Sequence, residues 1–174
     1  MKHNLKNLAV IIVDMQDFFL KNFNTDIKRK LISNQIEIID FCVKNKVPFI
    51  ITEYKCRGIF RGKTINKIQS KLKEVKTQKI IKLHNSGFTK TNLDQILNDL
   101  KIKKLLIIGI NANACVQDTT IGARHRGYKI FVSKGVMACS SRKDFELSKR
   151  NEKWFEKNTT LFKNVGELQK YLRT

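Results

Sequence analysis

The stretch "LLIIGINANACVQDTTIGARHRGY", residues 105–128, changes character halfway along. It begins as an apolar run with the length and β-branched content of a buried strand. The run breaks at Gly109, passes through Asn111, Ala112 and Asn113, and takes on helical character from about Ala114 to Arg126, stopped by Gly127. A strand that leads into a helix is half of the crossover unit that parallel sheets require. Cys115 stands at the turn between them. Asn113 is a good N-cap, which puts Ala114 and Cys115 in the first helical turn. There the backbone N–H groups lack intrahelical partners and the helix dipole favours negative charge. Both effects lower a thiol's pKa, and the same N–H groups can hold an oxyanion.

The alternation continues on both sides. Upstream, "LAVIIVDM" (8–15) reads as a strand, followed by a helix striped with Ile32, Ile36, Ile39 and Val43. "VPFIITEY" (47–54) is a second strand with Pro48 at its start, where proline is tolerated. Ile65, Ile68, Leu72 and Val75 mark a helix, "KIIKL" (79–83) a third strand, and Leu93, Ile96, Leu97 and Leu100 another helix before the strand at 104–110. Downstream come a fifth strand at 128–133, a polar helix over about 141–157 with a thin stripe at Leu147, Trp154 and Phe155, a short sixth strand at 159–162 and a last helix at 165–172.

The strands are continuous apolar runs, so both sheet faces are expected to be covered. The fold class is α/β: a three-layer doubly wound sandwich on a mainly parallel sheet of five to six strands. The commonest strand order, 3-2-1-4-5-6, sets the first strand beside the fourth, and ligands bind at the carboxyl ends of strands at that switch point. Asp14 ends the first strand, Lys82 ends the third and Cys115 follows the fourth. The third strand is two away from the fourth's neighbour, about 10 Å at ordinary spacing, and a lysine stem covers most of that gap.

A cysteine nucleophile needs a base. His125 is ten residues along the helix from Cys115, roughly 15 Å away. His84 follows the third strand and reads as a surface loop residue. Asp14 is the better candidate, with Lys82 as partner, although a structural ion pair explains the same two residues. Cys42 lies in a helical apolar stripe and reads as core, while Cys56 and Cys139 are background.

Composition bounds the rest. A chain of 174 residues with one proline and no linker or repeat reads as one domain spanning residues 1–174, able to bury roughly 70% of its unfolded surface. The apolar run at 8–13 ends in Asp14 without a cleavage site, and no stretch approaches the ~20 apolar residues of a membrane span. The expectation is a soluble cytoplasmic protein. The four cysteines and three histidines lack zinc-ligand spacing, so no metal and no cofactor are expected. The formal charge of +20 raises nucleic acid as a partner. Lysine spread along the whole chain, without an aromatic-interleaved basic motif, disfavours it. "GIFRGKT" (58–64) imitates a phosphate-binding loop, but it is one residue short between the glycines and follows the wrong strand. The basic loop "KCRGIFRGK" (55–63) either attracts an anionic substrate or is simply solvated.

Three blocks of the chain resemble the isochorismatase-like cysteine hydrolases. "VIIVDMQDFF" is similar to that family's D-x-Q-x-x-F through Asp14, Gln16 and Phe19. "KLHNSGF" is similar to K-x-x-x-S-[AG]-F through Lys82, Ser86, Gly87 and Phe88. "GINANACVQDTTIGARHRGY" is similar to G-[IV]-x-T-x-x-C-V-x-x-T-x-x-x-A-x-x-x-G through Gly109, Ile110, Cys115, Val116, Thr119, Ala123 and Gly127. The resemblance implies a catalytic triad of Asp14 as base, Lys82 as its partner and Cys115 as nucleophile. It also implies an oxyanion hole from the backbone N–H groups of Asn111 and Cys115, with a cis peptide at Ile110–Asn111. Small amides, carbamoyl or ureido compounds are the implied substrates. Phe19, Tyr54 and Phe88 are candidates to line the pocket, and the family's habit of sharing residues between subunits implies a homo-oligomer.

Departures from the pattern limit what carries over. Ala112 stands where threonine is usual, and Phe18 where aspartate is common. The metal block of nicotinamidases has no counterpart in "TEYKCRGIFRGKT" (52–64), which contains no histidine and argues against that substrate. Two other activities remain open: enol-ether hydrolysis of the isochorismatase type, for which the cysteine is not essential, and a non-catalytic basic binding module.

Overall fold

The computed structural model describes residues 3–21, 23–56, 59–139 and 144–174. Its parallel strands are β1 (Leu8–Val13), β2 (Phe49–Cys56), β4 (Thr77–Lys82), β5 (Lys104–Ile110), β6 (Lys129–Ser133) and β8 (Thr160–Phe162). They lie side by side in the order β4-β2-β1-β5-β6-β8, which is the expected 3-2-1-4-5-6 once the long strands are counted in sequence. Two short strands were not foreseen. β3 (Ile59–Phe60) turns back antiparallel on the end of β2, and β7 (Met137–Ala138) takes the place beside β5 that β6 leaves. Two residues are too few for any periodicity to register.

Alternation along the buried strands explains the three layers. In β1, Leu8, Val10 and Ile12 face one core, while Ala9, Ile11 and Val13 face the other. In β5, Leu106, Ile108 and Ile110 join the first core and Leu105 and Ile107 the second. The first core is closed by α2 (Thr25–Lys44), α3 (Asn66–Lys71) and α7 (Val165–Arg173) through residues such as Ile38, Ile68 and Leu168. The second is closed by α4 (Leu93–Asp99), α5 (Cys115–His125) and α6 (Asp144–Asn158) through Leu97, Val116 and Phe155. A one-turn helix, α1 (Asp17–Leu20), follows β1.

Helix boundaries moved. α3 covers only Asn66–Lys71 of the striped segment, and Leu72 and Val75 pack from the turn beyond it. The N-cap of α5 is Ala114, without a side-chain cap, and not Asn113. Asn111 takes the left-handed conformation (φ 57) and its carbonyl accepts from the N–H groups of Ala114 and Val116, so the backbone closes the turn that Asn113 was expected to cap. Arg57 and Gly58 of the basic loop, and residues 141–143 at the expected start of the polar helix, lie outside the described residues. Among the described residues no helix is long and apolar enough to cross a membrane.

Candidate active site

The carboxyl ends of β1 and β5 approach each other unusually closely. A β-carbon at Gly109 (φ 142) would stand 2.2 Å from the Val13 carbonyl oxygen, so only glycine permits this contact. Directly beyond it the two strands end in left-handed residues, Asp14 (φ 53) and Asn111 (φ 57). Both are types whose short polar side chains tolerate that region. The strand ends thus turn out of the sheet together and present Asp14 and the start of α5 to one space.

Asp14, Lys82 and Cys115 meet there. The Lys82 ammonium lies 2.7 Å from Asp14 Oδ2, with both side chains wholly buried. It also donates to the carbonyl oxygens of Asn85 (2.9 Å) and His84 (3.2 Å), and its charge sits 4.6 Å above the Tyr54 ring. Asp14 Oδ1 accepts from the Thr52 hydroxyl at 3.1 Å. Oδ2 accepts no well-aligned hydrogen bond, because the ammonium approaches it as a charge contact, off the hydrogen-bond direction. The Cys115 thiol is only 4% exposed, interacts with Asp14, and lies 3.9 Å from the Asn85 side-chain oxygen.

Burial pushes the Cys115 thiol up to about 12, the Asp14 charge adds to the rise, and Lys82 opposes it. The lowering expected from the helix start is therefore reversed: an enclosed sulfur facing a carboxylate holds its proton. Burial likewise raises Asp14 above the usual carboxylate range, against the charge of Lys82 and the polar contacts of Lys82, Cys115 and Thr52. A thiol reluctant to ionise therefore faces a carboxylate with enhanced affinity for its proton.

At the oxyanion position, the N–H groups of Asn111 and Cys115 have no hydrogen-bond partner among the described residues, whereas Ala112 N–H is taken by the Ala138 carbonyl. No peptide bond among the described residues is cis, so the expected cis bond at Ile110–Asn111 is replaced by a trans bond and the left-handed Asn111.

The proposed lining residues divide. Phe19 is 6.2 Å from Tyr54 between ring centroids, and Tyr54 covers Lys82, so both border the triad. Phe88 does not join them. It packs beside Gly122, where a β-carbon would be 2.9 Å from its ring, and against Tyr128 and Arg126. Gly122 is two helical turns from Cys115, about 10 Å along α5. The rest of the second block is similarly structural. Ser86 accepts from Phe88 N–H, and Gly87 N–H donates to Thr119 of α5 at 2.9 Å. His84 and His125 are exposed, and Cys42 and Cys139 are buried.

Thr52, Asn85 and the bracing role of Gln16 escaped the sequence reading. Gln16 is fully buried; its amide donates to the carbonyl oxygens of Gly62 (2.7 Å) and Tyr54 (3.3 Å) and accepts from Tyr54 N–H (2.7 Å). It thereby ties the loop after β3 to the end of β2. For Thr52 a signal existed: a hydroxyl within an apolar run, one register step from Asp14. Among the described residues no three His, Cys, Asp or Glu side chains gather as metal ligands do.

Comparison with known proteins gives consistent matches. A family model described as Isochorismatase domain matches residues 8–151. Nicotinamidase 3 of Arabidopsis thaliana is 25% identical over 166 residues, covering 85% of this chain and 81% of that protein. Among solved structures, N-carbamoylsarcosine amidase from Thermoplasma acidophilum aligns with a TM-score of 0.76 at 22% identity, over 90% of this chain and 95% of its own. A nicotinamidase from Staphylococcus aureus aligns with a TM-score of 0.77 at 18% identity, over 91% and 98%.

Proposed function

Because the chain belongs to the isochorismatase family, we propose that it is a cysteine hydrolase of small amides, carbamoyl or ureido compounds. The observation that carries this reading is the wholly buried Lys82–Asp14 pair set against the Cys115 thiol at the start of α5. In this reading Asp14 accepts the thiol proton through Oδ2 as the sulfur attacks the substrate's carbonyl carbon. The N–H groups of Asn111 and Cys115 receive the developing oxyanion. Asp14 returns the proton to the departing nitrogen, and the C–N bond breaks to leave a thioester. Water, deprotonated by Asp14, then attacks the thioester and releases the acid, and the proton returns to the sulfur. Lys82 holds the carboxylate in place and balances its charge throughout. Generating the thiolate only when substrate is present suits a thiol that holds its proton at rest.

Replacing Cys115 with alanine should remove covalent modification of its peptide by a small thiol-reactive electrophile, read by mass spectrometry. It should also lower amide hydrolysis by about 10³-fold or more, as removal of a nucleophile does. A variant that keeps hydrolysing amides would overturn the role of Cys115. The raised Asp14 favours a second reading. A carboxyl whose affinity for a proton is raised by burial is suited to passing one to an enol ether, and that activity should survive Cys115→Ala and disappear with Asp14→Asn.

A further inference from the structure

Where the cations gather in space differs from how they are spread along the chain. All the long strands are parallel, so the loops leading into them converge at one end of the sheet, opposite Asp14 and Cys115. In the lateral order β4, β2, β1, β5, β6 those loops and strand starts carry Lys76, Lys46, Lys6, Lys103 and Lys129, all exposed. At ordinary strand spacing the row is about 20 Å long. The first four form no ion pair among the described residues, and Lys129 reaches only the Tyr171 hydroxyl at 3.3 Å and the neighbouring rings. Carboxylates at this end are sparse. Glu74, Asp99 and Glu156 are exposed there, and Asp94 is engaged by Arg126 (3.5 Å) and the Tyr128 hydroxyl (3.0 Å).

Beside Lys129 the row opens into a cleft of about 430 Å³ lined by Arg124, Lys129, Lys157, Asn158, Thr159 and Thr160 among others. Thr159 donates its hydroxyl to the Phe155 carbonyl (2.7 Å) and Arg124 gives one N–H to Asn158, which leaves the rest of the guanidinium, two ammonium groups and the Thr160 hydroxyl to suit a phosphodiester. The large exposed apolar side chains among the described residues, Phe18, Ile27, Ile59, Ile81 and Leu83, lie outside these strand-leading loops, so none of them is placed here to insert into a lipid surface. Tyr128 is buried, leaving no open ring in the cleft for a base to stack on.

We propose that this end of the sheet binds the phosphate backbone of a nucleic acid strand without reading its bases, on a surface separate from the candidate active site. Four to five phosphate contacts correspond to a salt slope of about −3 for a single strand, or about 60-fold weaker binding at 200 mM than at 50 mM salt.

The test is fluorescence anisotropy of a labelled twenty-residue oligouridylate with the full chain. Two variants of equal charge are compared with the unmodified protein: Lys46→Glu, Lys76→Glu, Lys103→Glu and Lys129→Glu together, and Lys30→Glu, Lys67→Glu, Lys153→Glu and Lys163→Glu together. The first set should weaken binding by about 30-fold or more and flatten the slope by about 3, while the second changes affinity by about threefold or less. Equal losses in the two sets, no binding at low salt, or binding only to vesicles containing acidic phospholipid would overturn the proposal. Should the first variant misfold, acetylation footprinting of the unmodified chain decides. Oligouridylate should slow acetylation of the five row lysines, and absence of protection overturns the assignment. Cys115→Ala should bind oligouridylate unchanged, so this surface and the hydrolase reading stand or fall separately.

Discussion

The wholly buried Lys82 ammonium is in charge contact with Asp14 and donates to the carbonyl oxygens of Asn85 and His84. Removing one member of such a pair leaves an uncompensated charge in the interior. Lys82→Met should therefore lower stability by about 3–5 kcal/mol in urea unfolding, and adding Asp14→Asn to the same chain should restore most of the loss. The buried thiols make a separate statement about pH. Cys115 and Cys42 are both pushed from the ordinary value of 9.0 up to about 12, so the folded state keeps protons that the unfolded chain releases. Their contribution to stability is complete below pH 9 and disappears as pH rises towards 12. Cys115→Ala should make the decline between those limits shallower by one of these two groups, measured as unfolding free energy against pH. At this scale Asp14, Lys82 and Cys115 were legible because a charge or thiol at the end of an apolar strand stands out. Phe88 was misplaced because the rotation of α5 decides which side of the helix its neighbours occupy. Thr52 was missed because its partner is set by register between strands.

Among the elements, the junction of β1 with β5 does most to position the site. Gly109→Ala would place a carbon 2.2 Å from the Val13 carbonyl oxygen and demand a positive φ from alanine, so β1 must shift. The expected cost is about 2 kcal/mol or more. Asp14 moves with Val13, so labelling of Cys115 should also change in rate even in protein that remains folded; thermal melting and labelling kinetics on the same sample check both. Strand order was readable because long β-branched runs separated by helical stripes leave few topologies. β3 and β7 were not, since each is defined only by the strand it pairs with. The start of α5 slipped by one residue for a related reason. The Asn111 carbonyl closes that turn, and backbone closure leaves no mark on residue type.

For the molecule as a whole, the net charge of +20 sets a self-repulsion that the fold must overcome. Raising salt from about 10 mM to 0.5 M contracts the Debye length from about 30 Å to a few ångströms. The melting temperature should rise over that range, and calorimetry would show it; a flat response would mean that the charges are already neutralised locally. The composition announced the charge, but only the shared direction of the strands shows which lysines become neighbours. That shared direction also has a consequence for synthesis. β1 is bordered by β2 and β5, and β5 begins at Lys104, 96 residues after Leu8. While the ribosome makes the intervening chain, the most apolar strand has one flank bare. The last triad member, Cys115, is translated later still, so a nascent chain cannot assemble the triad before the strand that encloses β1 has been made.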